Sequence, residues 1–455
     1  MKNSDEIVKV GFIGFGEVNT PKDIIEKMLL QAIKKLKHTG LELVTTEYVS
    51  NDPQRQDAER AITKLTGKEF DLLIICIAGW IPTHTIIQVT DNFKEKPMIL
   101  WGLGGYYKNG ILFTTAGQAG TSAARKVFED LGYDYKYIYN TPDSFCDMSQ
   151  ISDFAKVAAS KRLLRSSRIG MMGFRDMKLY STLYDGVSLR REIGPEVEFF
   201  EMLEISRKME KIPKRKIEEI IKVVKNKYYF KNNIEDKHLE EPVKLYIALK
   251  QKIYDEKYDG VSLSDVDGVK KLLNFTPALT FMLMTDELGI CTIPENDTLG
   301  LVTQLIIKKL TGQIGAYLEF YEFFSDRIIA GVPDYVPSTV VDGNTELMIN
   351  SFGNLGMGVL NVSKLKTGKI TMARLTSYKG RYAMHIVTGE AVEPPRWVEV
   401  GWDDPPQLPG LEIILDVPTK EFAEKVASQH YIISYGDNVE ILKDYCRLCN
   451  IEMII

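Results

Sequence analysis

The chain is poor in the residues that build cross-links and thiolate cages. Its five cysteines (Cys76, Cys146, Cys291, Cys446 and Cys449) are few and odd in number, which excludes a disulfide framework. Cys446-Arg-Leu-Cys449 is formally a C-x-x-C pair, but it falls in an amphipathic C-terminal helix and no second pair completes a tetrahedral site. Charge of one sign is missing too: a net −5 with both signs interspersed leaves no basic field for nucleic acid or anionic lipid. No apolar run approaches the roughly 20 residues that span a bilayer. Met1 to Glu6 lead directly into a strand without the apolar core of a signal peptide, so the expected setting is cytoplasmic.

What remains is a soluble globular composition, 44% hydrophobic and 26% charged, on 455 residues. That length predicts about two or three domains. Residues 1–145 alternate apolar runs with amphipathic helices: strands at Val8–Gly14, Leu41–Val49, Phe70–Ile77 and Pro97–Trp101, with helices at Pro21–Lys37, Asp52–Leu65, Thr83–Phe93 and Gly117–Leu131. Thr20 is the expected N-cap of the first helix, with Pro21 at its first position. The rhythm implies an open parallel sheet with helices on both faces. It restarts within 146–312, after a helix from Ser144 to Ser166, with strands at Arg168–Gly173, Tyr258–Leu263 and Cys291–Ile293. From 313 to 455 proline and glycine increase, and β-type segments at Ile370–Arg374, Arg381–Val387 and Leu411–Val417 precede a strand at His430 and a last helix over Asn438–Cys449. The expected fold is α/β: two doubly wound, parallel-sheet (Rossmann-like) domains, then a mostly β C-terminal domain.

Gly11-Phe-Ile-Gly14-Phe-Gly16 follows the first strand but is spaced G-x-x-G-x-G, and the helix starts only at Pro21, so a pyrophosphate would not meet its N-terminus directly. Trp101-Gly-Leu-Gly-Gly105 is a strand-end glycine loop without a Walker lysine-hydroxyl pair, placed where a parallel sheet lines clefts.

Four residues stand out for chemistry. Glu295 and Asp297 sit at a strand-to-helix junction, Ile293-Pro-Glu-Asn-Asp-Thr298. Helix capping accounts for Asp297 or Thr298 but not for Glu295. Glu319 lies inside the aromatic run Tyr317-Leu-Glu-Phe-Tyr-Glu-Phe-Phe324, where a carboxylate is costly to bury unless it is paired or metal-bound. His430 follows Gln429 and leads an apolar run to Gly436-Asp437. Its plainer reading is a half-buried histidine satisfied by a backbone carbonyl. Two glutamates and one imidazole form a hard donor set suited to Mn²⁺, Mg²⁺ or Co²⁺.

Gln429-His430-Tyr-Ile-Ile-Ser434-Tyr435-Gly436-Asp437 resembles the L-fucose isomerase and L-arabinose isomerase family of metal-dependent sugar isomerases, as a divergent member. L-fucose isomerases carry there Asn-His, four residues, Tyr-Gly and a helix, and their histidine binds the metal. The resemblance implies that His430, Glu295 and Glu319 hold the ion, with Gln429 standing where the family has asparagine. Trp101-Gly-Leu-Gly resembles the family's Trp-Gly-Phe-Asn segment, whose tryptophan reaches into a neighbouring subunit's active site. It therefore implies a homo-oligomer, trimer or hexamer, with sites at subunit interfaces. Arg168-Ile-Gly-Met-Met-Gly-Phe-Arg175, Met372-Ala-Arg374-Leu and Gly389-Glu390 resemble further landmarks. The additional histidine of arabinose isomerases has no counterpart, since none lies between His238 and His385.

The expected reaction is aldose–ketose isomerisation through a cis-enediolate. Glu295 and Glu319 both ligate and transfer protons, His430 only ligates, and Asp297 either orients Glu295 or caps the helix. Trp101, Gln429, Arg175 and Gln118 are the expected sugar contacts. A pocket-facing Arg175 or Arg374 would admit an anionic sugar, and His385 reads as structural. Two rivals belong to other classes: a non-catalytic sugar-binding or sensor protein of paired α/β domains, and a dehydrogenase using the Gly11–Gly16 loop.

Overall fold

A computed structural model describes residues 7–332, 335–351, 355–378, 380–398 and 409–454, so the expectation for Met1 to Glu6 lies outside the described residues. The chain divides into two compact units, Met1–Leu163 and Leu164–Ile455.

The first unit is built on β1 (Lys9–Phe15), α1 (Lys22–Lys37), β2 (Glu42–Thr45), α2 (Gln56–Leu65), β3 (Leu72–Ile77), α3 (Thr83–Thr90), β4 (Met98–Gly102), β5 (Tyr106–Lys108), β6 (Ile111–Phe113), α4 (Gly117–Asp130), β7 (Tyr135–Tyr139) and α5 (Ser149–Ser166), the last of which runs past the boundary. The five-stranded sheet runs β2-β1-β3-β4-β7, and all its pairings are parallel. Every residue of β3 is buried because helices cover both faces of a central parallel strand, each large side chain contributing about 1.5–3 kcal/mol. Thr20 does not cap α1: the cap position is Pro21, and no side chain bonds to the helix end there.

The glycines after β1 serve helix packing. A Cβ on Gly14 would stand 2.3 Å from Leu29 Cδ1, and one on Gly16 2.7 Å from Ile25 Cδ1. The side chains of Leu29 and Ile25 on α1 fill the space beside these two glycines.

The second unit holds β8 (Arg168–Met172), α6 (Gly186–Glu192), β9 (Glu196–Phe200), α7 (Met202–Met209), α8 (Lys214–Lys227), β10 (Tyr229–Phe230), α9 (Lys237–Glu256), β11 (Gly260–Leu263), α10 (Ala278–Leu288), β12 (Cys291–Ile293), α11 (Thr298–Thr311), β13 (Ala316–Phe323), β14 (Ile328–Gly331), β15 (Glu346–Ser351), β16 (Met357–Asn361), β17 (Gly368–Tyr378), β18 (Arg381–Val392), β19 (Gly410–Leu415), α12 (Thr419–Lys425), β20 (His430–Tyr435), α13 (Val439–Leu448) and β21 (Glu452–Ile454). A parallel sheet, β12-β11-β8-β9, reverses its strand order between β8 and β11. A second, antiparallel sheet runs β17-β20-β13-β14-β19-β18, and the pairing of β18 with β17 closes it into a barrel. One hydrophobic core joins Leu263 and Phe281 to Tyr335, Leu347 and Val359, so the segments 146–312 and 313–455 share buried contacts. The fold is mixed α/β with two parallel sheets and a C-terminal barrel-like sheet.

Candidate active site

In an open parallel sheet, ligands gather outside the carboxyl ends of the strands, where strand order reverses. In the second unit that edge carries Asp176 after β8, Asp265 after β11, and Glu295 and Asp297 after β12. Glu295 and Asn296 both adopt left-handed backbone, φ 66° and 49°, in the tight turn between β12 and α11. Non-glycine residues there cost about 1–3 kcal/mol each, so surrounding contacts must hold them. Asn296 Nδ2 donates to the carbonyls of Met172 and Phe174, each at 2.8 Å. The Glu295 N–H donates to Asp265 Oδ1 at 2.7 Å, and Asp265 in turn accepts Lys270 Nζ at 2.8 Å. Asp265 and Lys270 are 1% and 2% exposed, a buried ion pair at the start of a π-helix over Asp265–Leu273.

The barrel supplies the other two side chains. Glu319 on β13 pairs directly with His430 on β20, and the register of β13 shifts between Phe320 and Glu322, one residue beyond. His430 stands between the two glutamates: Nδ1 is 3.6 Å from Glu295 Oε2, and Nε2 is 3.6 Å from Glu319 Oε2. The structure thus brings together Glu295, Glu319 and His430. It sets them at a place where the parallel sheet meets the barrel within one unit.

Burial, with the charges of Asp265, Glu319 and Asp297 added, pushes the Glu295 carboxyl well above its ordinary range against an opposing Lys270. Burial pushes His430 down to about 3, leaving a neutral imidazole with a free lone pair. Glu295 Oε2 is buried and accepts no hydrogen bond. Among the described residues no three His, Cys, Asp or Glu side chains already close around one point as a metal cage. The donor set nevertheless fits a hard divalent cation: two carboxylates, a neutral imidazole, and an orphaned buried oxygen that a positive charge would satisfy.

Asp297 caps α11, Oδ1 accepting the Gly300 N–H at 3.0 Å. Its carboxylate does not orient Glu295: it is gripped by both Arg374 Nη atoms and accepts the Tyr317 hydroxyl at 2.9 Å. Burial alone would raise its pKa, but the Arg374 charge and hydrogen bonds outweigh that and hold it below the ordinary range. Arg374, 1% exposed, therefore spends its charge on Asp297 and is not open to an anionic sugar.

The other expected sugar contacts fall in different surroundings. Trp101, in the first unit, is fully buried on β4, its indole N–H donated to Asn140 Oδ1 at 2.9 Å and its ring edge-on to Phe145. It is a packed core residue with no face to present to a sugar. Gln118, in the same unit, gives its amide to the carbonyls of Gly102, Leu103 and Asn140, which ties the end of β4 to α4. Arg175 lies over the Tyr180 ring at 4.3 Å and donates to the Lys178 carbonyl, while its Nε is buried without a hydrogen bond. Gln429 is exposed, next to buried His430. His385 is buried against the Tyr431 hydroxyl at 2.6 Å, as expected of a structural residue.

Sequence reading missed Tyr317, Asp265 and Lys270. Strand alternation puts Tyr317 on the Glu319 face of β13, a signal that was available. The Asp265–Lys270 spacing of five carries no signal in an α-helix.

The model of the family described as "L-fucose isomerase, C-terminal domain" matches residues 344–455. Sulfoquinovose isomerase of Alkalicoccus urumqiensis is 18% identical over 379 residues, covering 81% of this chain and 82% of the relative. The C-terminal quarter of the chain is thus similar to the C-terminal domain of L-fucose isomerases. The matched segment contains β20 with His430, and the match to the relative extends well beyond it. No helix among the described residues is long and apolar enough to cross a membrane.

Proposed function

We propose that the protein is a metal-dependent aldose–ketose isomerase with Glu295, Glu319 and His430 as its centre. The observation that carries this reading is the convergence of the three side chains, each carboxylate 3.6 Å from one nitrogen of His430. His430, held neutral, would ligate through a ring nitrogen, and the two glutamates through their oxygens. A bound divalent ion, Mn²⁺, Mg²⁺ or Co²⁺, would polarise the sugar carbonyl and lower the pKa of the neighbouring hydroxyl.

The chain's own groups supply the proton work. Isomerisation takes a proton from C2 of the aldose and returns one to C1, while the O2 proton passes to O1, through a cis-enediolate. Glu295, whose buried carboxyl readily holds a proton, and Glu319, half-buried on the other side of the imidazole, are the two acid–base groups. Each such group contributes about 10²–10⁴-fold.

The substrate is a free aldose. An anionic one has support from the relative named sulfoquinovose isomerase. The homo-oligomer expected from the family resemblance stays within this proposal, but a trans-acting Trp101 does not. The test is a panel of neutral and anionic aldoses incubated with Mn²⁺ and assayed for ketose. Glu319→Gln that keeps both bound metal and near-full turnover overturns the assignment.

A further inference from the structure

The plane of the His430 ring is not set by the two glutamates. Each lies 3.6 Å from a ring nitrogen, longer than a normal hydrogen bond. The ring instead lies flat on Tyr317, with centroids 4.2 Å apart and planes 12° from parallel. Tyr317 is itself held at both ends. Its backbone belongs to β13, and its hydroxyl donates to Asp297 Oδ2 at 2.9 Å.

Asp297 cannot swing away, because its other oxygen takes the Gly300 N–H at 3.0 Å and Arg374 Nη2 at 2.9 Å. The pair sits so close to α11 that a Cβ on Gly300 would stand 2.7 Å from Asp297 Oδ2 and 2.8 Å from Arg374 Nη1. Tyr317, Asp297 and Arg374 are each no more than 2% exposed, so solvent does not compete for these bonds.

We propose that Tyr317, clamped by the Asp297–Arg374 pair, is a positioning residue that fixes the His430 imidazole plane for ligation. Metal-binding histidines are commonly oriented by a hydrogen bond to the second ring nitrogen. Here a face stack, anchored through the phenol to a helix cap, takes that part. This explains why the buried ring is a tyrosine: phenylalanine would stack but could turn and slide. The proposal rests on His430 as a ligand, yet the orientation of its ring is testable without metal.

The experiment uses metal-free full-length protein with histidine labelled with ¹³C at Cε1. The chain has five histidines, and the His430 signal is identified by its loss in His430→Gln. In the wild type the Tyr317 ring current shifts that signal upfield. Tyr317→Leu should return it toward the free-histidine position while the other four stay in place, and Tyr317→Phe should give an intermediate, broadened signal. Mn²⁺ affinity, read from the free-ion electron paramagnetic resonance signal, should fall about 10–100-fold in Tyr317→Leu and less in Tyr317→Phe. A His430 signal left unmoved by both variants overturns the proposal, as does unchanged Mn²⁺ affinity in both. If Tyr317→Leu fails to fold, Tyr317→Phe decides by the same two readouts. A wild-type protein that takes up no Mn²⁺ overturns the metal reading, and the His430 signal then decides the role of Tyr317 alone.

Discussion

Glu319 and His430 stand directly opposite each other in the antiparallel β13–β20 pair, with Glu319 Oε2 3.6 Å from His430 Nε2. Direct partners keep their Cβ atoms about 4.5–5.5 Å apart on one face. A slip of one residue would turn His430 to the other face, so barrel register fixes this half of the site. Glu295 arrives separately, on the strained turn before α11.

Mn²⁺ should therefore raise the thermal stability of the metal-free protein through all three residues. At an ion concentration 100 times Kd the gain is about 2.7 kcal/mol. His430→Gln and Glu319→Gln should each lose most of it while keeping the wild-type circular dichroism. NAD(H) should give no shift, since Leu29 and Ile25 fill the space beside Gly14 and Gly16. Stabilisation by the nucleotide but not by Mn²⁺ would sink the isomerase reading.

Glu295 predicts a pH dependence of defined sign. Its folded-state carboxyl is raised above the ordinary 4.5, so the folded protein binds this proton more tightly than the unfolded chain does. The resulting stability is present at low pH and is lost as pH rises above 4.5 through the folded value. Glu295→Gln mimics the protonated form. In metal-free protein its stability relative to wild type should rise with pH above 4.5, measured by urea unfolding across pH 4.5–8. With Mn²⁺ the wild type should recover, and turnover of the variant should fall by about 10²–10⁴-fold.

The sequence carried the residue types of the site better than their partners. Glu295 and Glu319 could be singled out because a carboxylate in an aromatic run and a glutamate beyond a helix cap have few plain explanations, whereas His430, which has a plain structural reading, needed the family resemblance. Asp265 and Lys270 escaped because residues five apart approach each other in the π-helix over Asp265–Leu273, whereas α-helical neighbours are three or four apart. The alternation in the first unit gave its parallel strands β1 to β4, but not the hairpin β5–β6, although Asn109-Gly110, both at positive φ, is a strong turn signal. Trp101 misled because resemblance outweighed register: all of β4 is buried between β3 and β7. β17 and β18 pair locally as a hairpin, Tyr378 opposite Arg381, but the barrel also needs β17 against β20, Ile370 opposite Tyr435, a long-range pairing that no local pattern encodes.

His385 predicts acid sensitivity away from the site. Burial, with a smaller push from the Lys425 charge, lowers it to about 4 from its ordinary 6.5. The unfolded chain takes up this proton first, so stability is lost as pH falls from 6.5 to about 4. The loss amounts to roughly 2–3 kcal/mol by linkage. His385→Gln should show a shallower decline over that window in urea-unfolding titrations. An equally steep decline in the variant would show that the loss arises elsewhere.

Arg374 and Asp297 make the last prediction, which separates a buried ion pair from the helix cap it shares. Arg374→Met leaves the Asp297 carboxylate buried with only Tyr317 and Gly300 as partners, which should cost about 3–5 kcal/mol. Asp297→Asn alone strands the guanidinium but keeps an oxygen for the Gly300 N–H. The double variant removes both charges and retains the cap, so it should be more stable than Arg374→Met, with a coupling of about 0.5–3 kcal/mol in a double-mutant cycle. If the two changes simply add, the pair contributes nothing beyond its separate side chains. In that case Arg374 does not fix Asp297, and Tyr317 must be held by the cap alone.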